Sequence, residues 1–220
     1  MLTIVIVAVI AYLAGSFPTA YLIVKYRHHR DIRREGTGNV GARNSLDVTG
    51  SRATFLVVLL VDLLKGAVSV AGVYYLLGDS FWPGAAAVVG VVAGHNYSPW
   101  IGFKGGRGLA PAAGAMLVFN PVVVAYWVVL WLIARWRLKN VHWGNIWATM
   151  LTPVLVASAK NLSNILNLFS PSSELDIFYA TLAFTVLILL RHIEPLRELL
   201  LHKNAKDDGR NPTVKQEDAQ

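Results

Sequence analysis

Long apolar runs separated by short polar ones dominate the chain. The first covers residues 2–24 and is broken near Gly15-Ser16-Phe17-Pro18, where proline interrupts helical hydrogen bonding. Residues 53–77 form a second run, and 82–97 a third after a turn at Gly78-Asp79-Ser80. Residues 109–134 are apolar but divided at Asn120-Pro121, and 143–168 and 177–190 complete the series. A helix rises ~1.5 Å per residue, so runs of about twenty apolar residues match a ~30 Å hydrocarbon core. The pattern predicts an all-α integral membrane protein. Composition agrees, with 55% of the 220 residues hydrophobic and 15% charged. Mean hydropathy is +0.48, too apolar for an ordinary soluble domain.

Charge sets the expected topology. The basic block from Lys25 to Arg34 follows the first run and belongs in the cytoplasm, which places the N-terminus outside. Basic residues after the apolar stretch, not before it, also argue against a cleavable signal peptide. Read as one broken span, residues 109–134 would export Arg135, Arg137 and Lys139. Read as two short helices turning at Asn120-Pro121, each ~18 to 20 Å long, they keep those charges inside. The hairpin leaves 18 of the 20 Lys and Arg residues cytoplasmic, all but Lys65 and Lys160, and is preferred. The expectation is seven membrane helices, two of them short, with the N-terminus outside and the C-terminus cytoplasmic. Residues 1–202 form one membrane domain, and 203–220 a polar tail expected to be disordered.

The polar interruptions carry the candidate chemistry. Residues 94–111 read G-H-N-Y-S-P-W-I-G-F-K-G-G-R-G-L-A-P. Lys104 and Arg107 stand among Gly105, Gly106 and Gly108, and two cations beside a glycine-rich backbone suit a phosphate. The spacing is not that of a nucleotide-binding P-loop. Gly36, Gly38 and Gly41 punctuate a second loop holding Thr37, Asn39, Arg43 and Asn44, whose hydroxyl, amides and guanidinium also suit phosphate. The topology adds His142, Asn145 and His192 to the same face. Either loop alone reads as a plain cytoplasmic loop with positive-inside charge; together they point to a phosphorylated molecule at the membrane surface.

His95 either holds a phosphate or caps a helix end. Asp62 and Lys65, three residues apart on one helical face, are read as a buried structural ion pair. Trp82, Trp127, Trp131, Trp136, Trp143 and Trp147 are read as interface or packing residues. The absence of cysteine excludes disulfides and thiol nucleophiles. His95, His142 and His192 lack metal-ligand spacing, so neither a metal nor a cofactor is expected. The net charge of +7 is read as topology and a preference for anionic lipid or substrate, not nucleic acid.

These residues resemble a family. G-T-G-N-V-G-A-R-N over 36–44 resembles the G-S-G-N-x-G-A-T-N motif of bacterial membrane-embedded glycerol-3-phosphate acyltransferases that use acyl phosphate (PlsY-type). Gly15-Ser16-Phe17-Pro18, Asp62-Leu63-Leu64-Lys65-Gly66, Gly94-His95, Phe103-Lys104-Gly105-Gly106-Arg107-Gly108 and Arg191-His192 resemble further family motifs in the same order, over about residues 14–197. The resemblance implies transfer of a fatty acyl group from acyl phosphate to the 1-hydroxyl of sn-glycerol 3-phosphate, giving lysophosphatidic acid and phosphate. It implies a multi-pass protein of the bacterial cytoplasmic membrane, with its site facing the cytoplasm and lipid and the two substrates as partners; a monomer is expected. His95, Lys104 and His192 are the expected catalytic residues. Thr37, Gly38, Asn39, Gly41, Arg43, Asn44, Gly105, Gly106, Arg107, Gly108, His142 and Asn145 are the expected substrate-binding ones. In that family the acceptor's own phosphate is thought to help remove the hydroxyl proton. The chain departs from the family pattern at Arg43, Asp47, Pro111, His142, Asn145 and Pro195. Acyl transfer to another acceptor, or a non-catalytic or transport role with the same anion pocket, stands as the alternative.

Overall fold

The computed structural model describes residues 1–158 and 173–193. Those residues form nine α-helices and one 3₁₀ turn, with no strand among them: α1 (Leu2–Ser16), α2 (Thr19–His28), α3 (Ala42–Thr49), α4 (Arg52–Leu77), α5 (Phe81–Asn96), the 3₁₀ turn Pro99–Ile101, α6 (Leu109–Phe119), α7 (Pro121–Leu138), α8 (Val141–Ser158) and α9 (Glu174–Leu190). The break expected at residues 15–18 falls between α1 and α2, at Phe17-Pro18. Ser51 caps α4, its Oγ accepting from the Thr54 N–H at 3.2 Å. Asn120 ends α6 and caps α7, its Oδ1 accepting from the Val122 N–H at 3.2 Å, and Pro121 takes the first helical position.

Two expectations need correction. The second limb of the hairpin is not short: α7 has 18 residues and is ~27 Å long. The helix continues through Arg135 and Arg137, arginine being a good helix former, and it stops where Lys139 turns left-handed at φ 53°. The second glycine loop is also shorter than read, because α3 begins at Ala42 and buries Asn44, Ser45 and Val48. Part of the expected sixth segment, Pro195 and the 203–220 tail lie outside the described residues.

Small residues let the helices touch. A Cβ on Gly114 of α6 would lie 1.9 Å from the Leu63 carbonyl oxygen of α4, and one on Gly66 would lie 2.1 Å from that of Pro111. Backbone-to-backbone approach of this kind is how helices associate where no water drives them together. Much of the core lies between α5 and α9, where Val88, Val91 and Val92 share one cluster with Ile177, Phe184 and Ile188. Apolar side chains also point outward in stripes, including Val5, Ile6, Val9 and Leu13 on α1 and Leu56, Leu60, Leu64 and Val68 on α4. Such faces suit hydrocarbon, not water. Among the described residues three stretches, Leu2–His28, Arg52–Leu77 and Pro121–Leu138, are long and apolar enough to cross a membrane.

Candidate active site

A cavity of about 390 Å³ opens between α3, α4, α5, α6, α7, α8 and α9. Its polar end gathers Asn39 and Gly41 from the second glycine loop, Arg43 from the start of α3, Arg107 and Gly108 from the approach to α6, and His142 and Asn145 from the start of α8. The remaining wall is apolar, with Phe55, Leu59, Leu63, Met116, Val123, Trp127, Phe184 and Ile188. Segments more than a hundred residues apart thus form one amphiphilic chamber. Its volume is in the ~300 to 1,000 Å³ range usual for ligand sites.

Between these ends lies a buried triad. Lys65 Nζ sits 2.9 Å from Asp62 Oδ1 and 2.9 Å from His95 Nδ1, with the Phe17 carbonyl at 3.4 Å. An ammonium only donates, so Nδ1 of His95 accepts and the ring proton belongs on Nε2. The Asp62–Lys65 pair was legible from its spacing. That it also orients His95, thirty residues away from Lys65, was not, nor was the place of Asp62 on the cavity wall.

Gly105 and Gly106 were expected to present N–H groups to an anion, and they do not. Those groups donate to the carbonyls of Asn96 at 3.2 Å and His95 at 3.0 Å, closing the end of α5. Their own carbonyls accept from Arg191, Gly105 from Nη2 at 2.9 Å and Gly106 from Nε at 3.1 Å. A Cβ on Gly106 would lie 2.0 Å from His95 Nε2, so glycine is needed there to make room for the imidazole. Arg191 was visible only as half of the closing Arg-His pair; its role as a clamp depends on a contact across 85 residues.

Arg107 Nη1 lies 3.2 Å from His142 Nδ1, a donor–acceptor contact across the polar end. The start of α8 is fixed by Asn140, whose Oδ1 accepts from the N–H groups of His142 at 2.8 Å and Trp143 at 3.2 Å. Trp131 donates to Asn145 Oδ1 at 2.8 Å, and Trp127 to Thr149 Oγ1 at 3.0 Å, tying α7 to α8.

Other expected residues stand outside the lining. The Lys104 side chain is exposed. Asn44 is buried and clasps the loop before it: its amide donates to the carbonyls of Ile32 at 3.2 Å and Glu35 at 3.1 Å, and its oxygen accepts from the Thr37 N–H at 2.9 Å. Thr37 and Gly38 belong to that clasped loop. Arg43 reaches the lining, yet its side chain is 75% exposed and bonded to Asp47 at 3.1 Å, so the two charges meet each other. In the same region Arg33 holds Asp31 through two hydrogen bonds, at 2.9 and 2.8 Å, and keeps its carboxyl down at about 2 against the effect of burial.

His192, two residues beyond α9, is buried behind the cavity, and its Nδ1–H donates to the Ile188 carbonyl at 2.8 Å. Burial lowers its pKa to about 4; the Ile188 contact opposes this, while Arg107, His142 and Arg191 add to it. The ring is therefore neutral at physiological pH.

A family model for glycerol-3-phosphate acyltransferase matches residues 5–202. A glycerol-3-phosphate acyltransferase of Gluconobacter oxydans is 35% identical over 223 residues, covering 98% of this chain and 95% of that one. Its counterpart in Clostridioides difficile is 36% identical over 166 residues, covering 74% and 81%. Among solved structures, PlsY, an integral membrane glycerol 3-phosphate acyltransferase, superposes in its glycerol 3-phosphate form with a TM-score of 0.74 at 27% identity, over 91% of this chain and 93% of that one. Its lysophosphatidic acid form gives 0.71 at 26% identity. With the match running over most of its length, the chain belongs to the glycerol-3-phosphate acyltransferase family.

Proposed function

We propose that this protein transfers a fatty acyl group from acyl phosphate to the 1-hydroxyl of sn-glycerol 3-phosphate, in phospholipid synthesis at the bacterial cytoplasmic membrane. The observation that carries the reading is the amphiphilic cavity, with cationic and amide side chains at one end and an apolar wall along the rest. A phosphorylated acceptor fits the first and an acyl chain the second. The relatives' names and the PlsY forms bound to acceptor and product support the same acceptor.

In the reaction the acceptor oxygen attacks the acyl carbonyl carbon, and the carbon–oxygen bond to phosphate breaks. Phosphate leaves with the bonding electron pair, and the hydroxyl proton passes to a phosphate oxygen. The donor is an activated anhydride, so alignment and charge stabilisation supply most of what the protein must provide. Arg107, with His142, holds a phosphate, and Asn39 and Arg43 flank it. His95, its tautomer fixed by Lys65, offers Nε2–H to charge developing on the carbonyl oxygen. His192 supports the Arg107–His142 corner as a neutral ring. Lys104 gathers anions from outside the chamber. The site faces the cytoplasm, in a seven-segment chain with the N-terminus outside.

The test gives purified protein palmitoyl phosphate or palmitoyl-CoA, each with and without glycerol 3-phosphate. Lysophosphatidic acid formed only from palmitoyl phosphate and glycerol 3-phosphate is the expected result. Product from the thioester instead overturns the donor assignment. Phosphate release that ignores glycerol 3-phosphate overturns the acceptor.

A further inference from the structure

We propose that the turn between α6 and α7 measures the acyl chain: Met116, Val123 and Val124 form the floor of the cavity, and Trp127 is its fixed side wall. The proposal rests on the acyl-transfer reading above. The polar groups stand at one end of the helices, since Arg107 precedes α6 and His142 opens α8. Met116 lies near the opposite end of α6, and Val123 and Val124 lie in the first turn of α7. All three line the cavity. From Gly108 to Met116 the helix rises ~12 Å.

The floor exists because α6 is short. It ends after 11 residues, so the chain turns at Asn120 and brings Val123 and Val124 of α7 onto the cavity beside Met116. Asn120 is buried, and Phe119 beside it packs on Phe81 with ring centroids 5.1 Å apart. The side wall is held in place as well. Trp127 donates to Thr149 at 3.0 Å and stacks on Trp131 at 6.3 Å, while Trp131 is itself bonded to Asn145. An indole fixed on two sides keeps its rotamer.

A chain whose carbonyl sits at the polar end passes Trp127 and meets the floor. Each methylene buried on the way strengthens binding about fourfold. A longer chain meets packed side chains, where added volume destabilises. Acceptance therefore rises with chain length and then breaks.

The experiment measures kcat/KM for a graded series of saturated acyl phosphates with glycerol 3-phosphate present. Val124→Trp, at a half-buried position, raises the floor. Its break is expected at a shorter chain, with roughly 10- to 200-fold loss on the chains beyond it and the short-chain rate retained. Met116→Ala lowers the floor and is expected to move the break to a longer chain. Breaks at the wild-type length in both variants, with short-chain rates intact, overturn the proposal and mean that the chain leaves sideways into lipid. Equal losses on short and long chains also count against it, because the floor does not touch the reacting end. Wild-type protein that turns over no member of the series fails the acyl-transfer reading itself, a distinguishable result.

Discussion

His95 and His192 carry the same side chain in two different roles. His95 lines the cavity with its Nδ1 engaged by Lys65, whereas His192 is sealed behind it with its Nδ1–H on Ile188. Both stood out in sequence as histidines at helix ends, but which of them met the cavity depended on side-chain direction. Lys104 and Arg107 divide likewise: three residues apart in one loop, the first is exposed and the second lines the chamber. The burial of His192 makes a pH prediction. Its folded pKa is about 4, below the ordinary ~6.5 of an unfolded histidine, so the unfolded chain binds the proton first. Its contribution to stability is complete above ~6.5 and declines as pH falls through that value toward 4. Thermal unfolding in detergent followed against pH should be less steep for His192→Gln than for wild type in that window. Identical slopes would show that the ring titrates as if exposed.

At the level of elements, apolar runs and the polar turn between them located α4 and α5 within one residue at each end; Ser51 caps the start of α4, Gly78 ends it at φ 68°, and a backbone bond from the Tyr97 N–H to the Ala93 carbonyl ends α5. The α3 helix escaped because glycines and polar residues mask an eight-residue segment with only three buried positions. The full length of α7 escaped because Arg135 and Arg137 looked like a boundary, although arginine sustains a helix and can reach its charge toward water. Which backbone a helical glycine meets, if any, was not legible. Gly114 and Gly72 separate these cases. A Cβ at Gly114 strikes the Leu63 carbonyl oxygen, whereas at Gly72 none of the described residues lies within 4 Å. Gly114→Ala should force α4 and α6 apart, lowering stability by about 1 to 3 kcal/mol and reducing activity with it. Gly72→Ala should be neutral or stabilising by up to ~1 kcal/mol. Equal melting temperatures for the two variants would contradict the close crossing.

For the molecule as a whole, hydropathy gave the membrane class and motif order gave the family, and the match over residues 5–202 agrees. The chamber was legible only as a list of polar residues on one face. Its apolar wall was not, since Met116, Trp127 and Phe184 read as ordinary membrane-segment residues until seven helices enclosed them. The proposed topology requires the α7–α8 connection to be cytoplasmic, so a reporter fused after Asn140 should be active only in a form that needs the cytoplasm; an external signal would separate the polar segments that the site needs. The central claim is that Arg107, inside the chamber, and not Lys104, outside it, holds the substrate phosphate. The most direct measurement compares glycerol 3-phosphate-dependent phosphate release from palmitoyl phosphate by Arg107→Ala and Lys104→Ala. Loss of a charge-assisted contact in a partly buried site costs about 2 to 5 kcal/mol, so kcat/KM for Arg107→Ala should fall roughly 30-fold or more, while Lys104→Ala stays within about threefold of wild type. An unimpaired Arg107→Ala protein, or a larger loss at Lys104, would contradict the account.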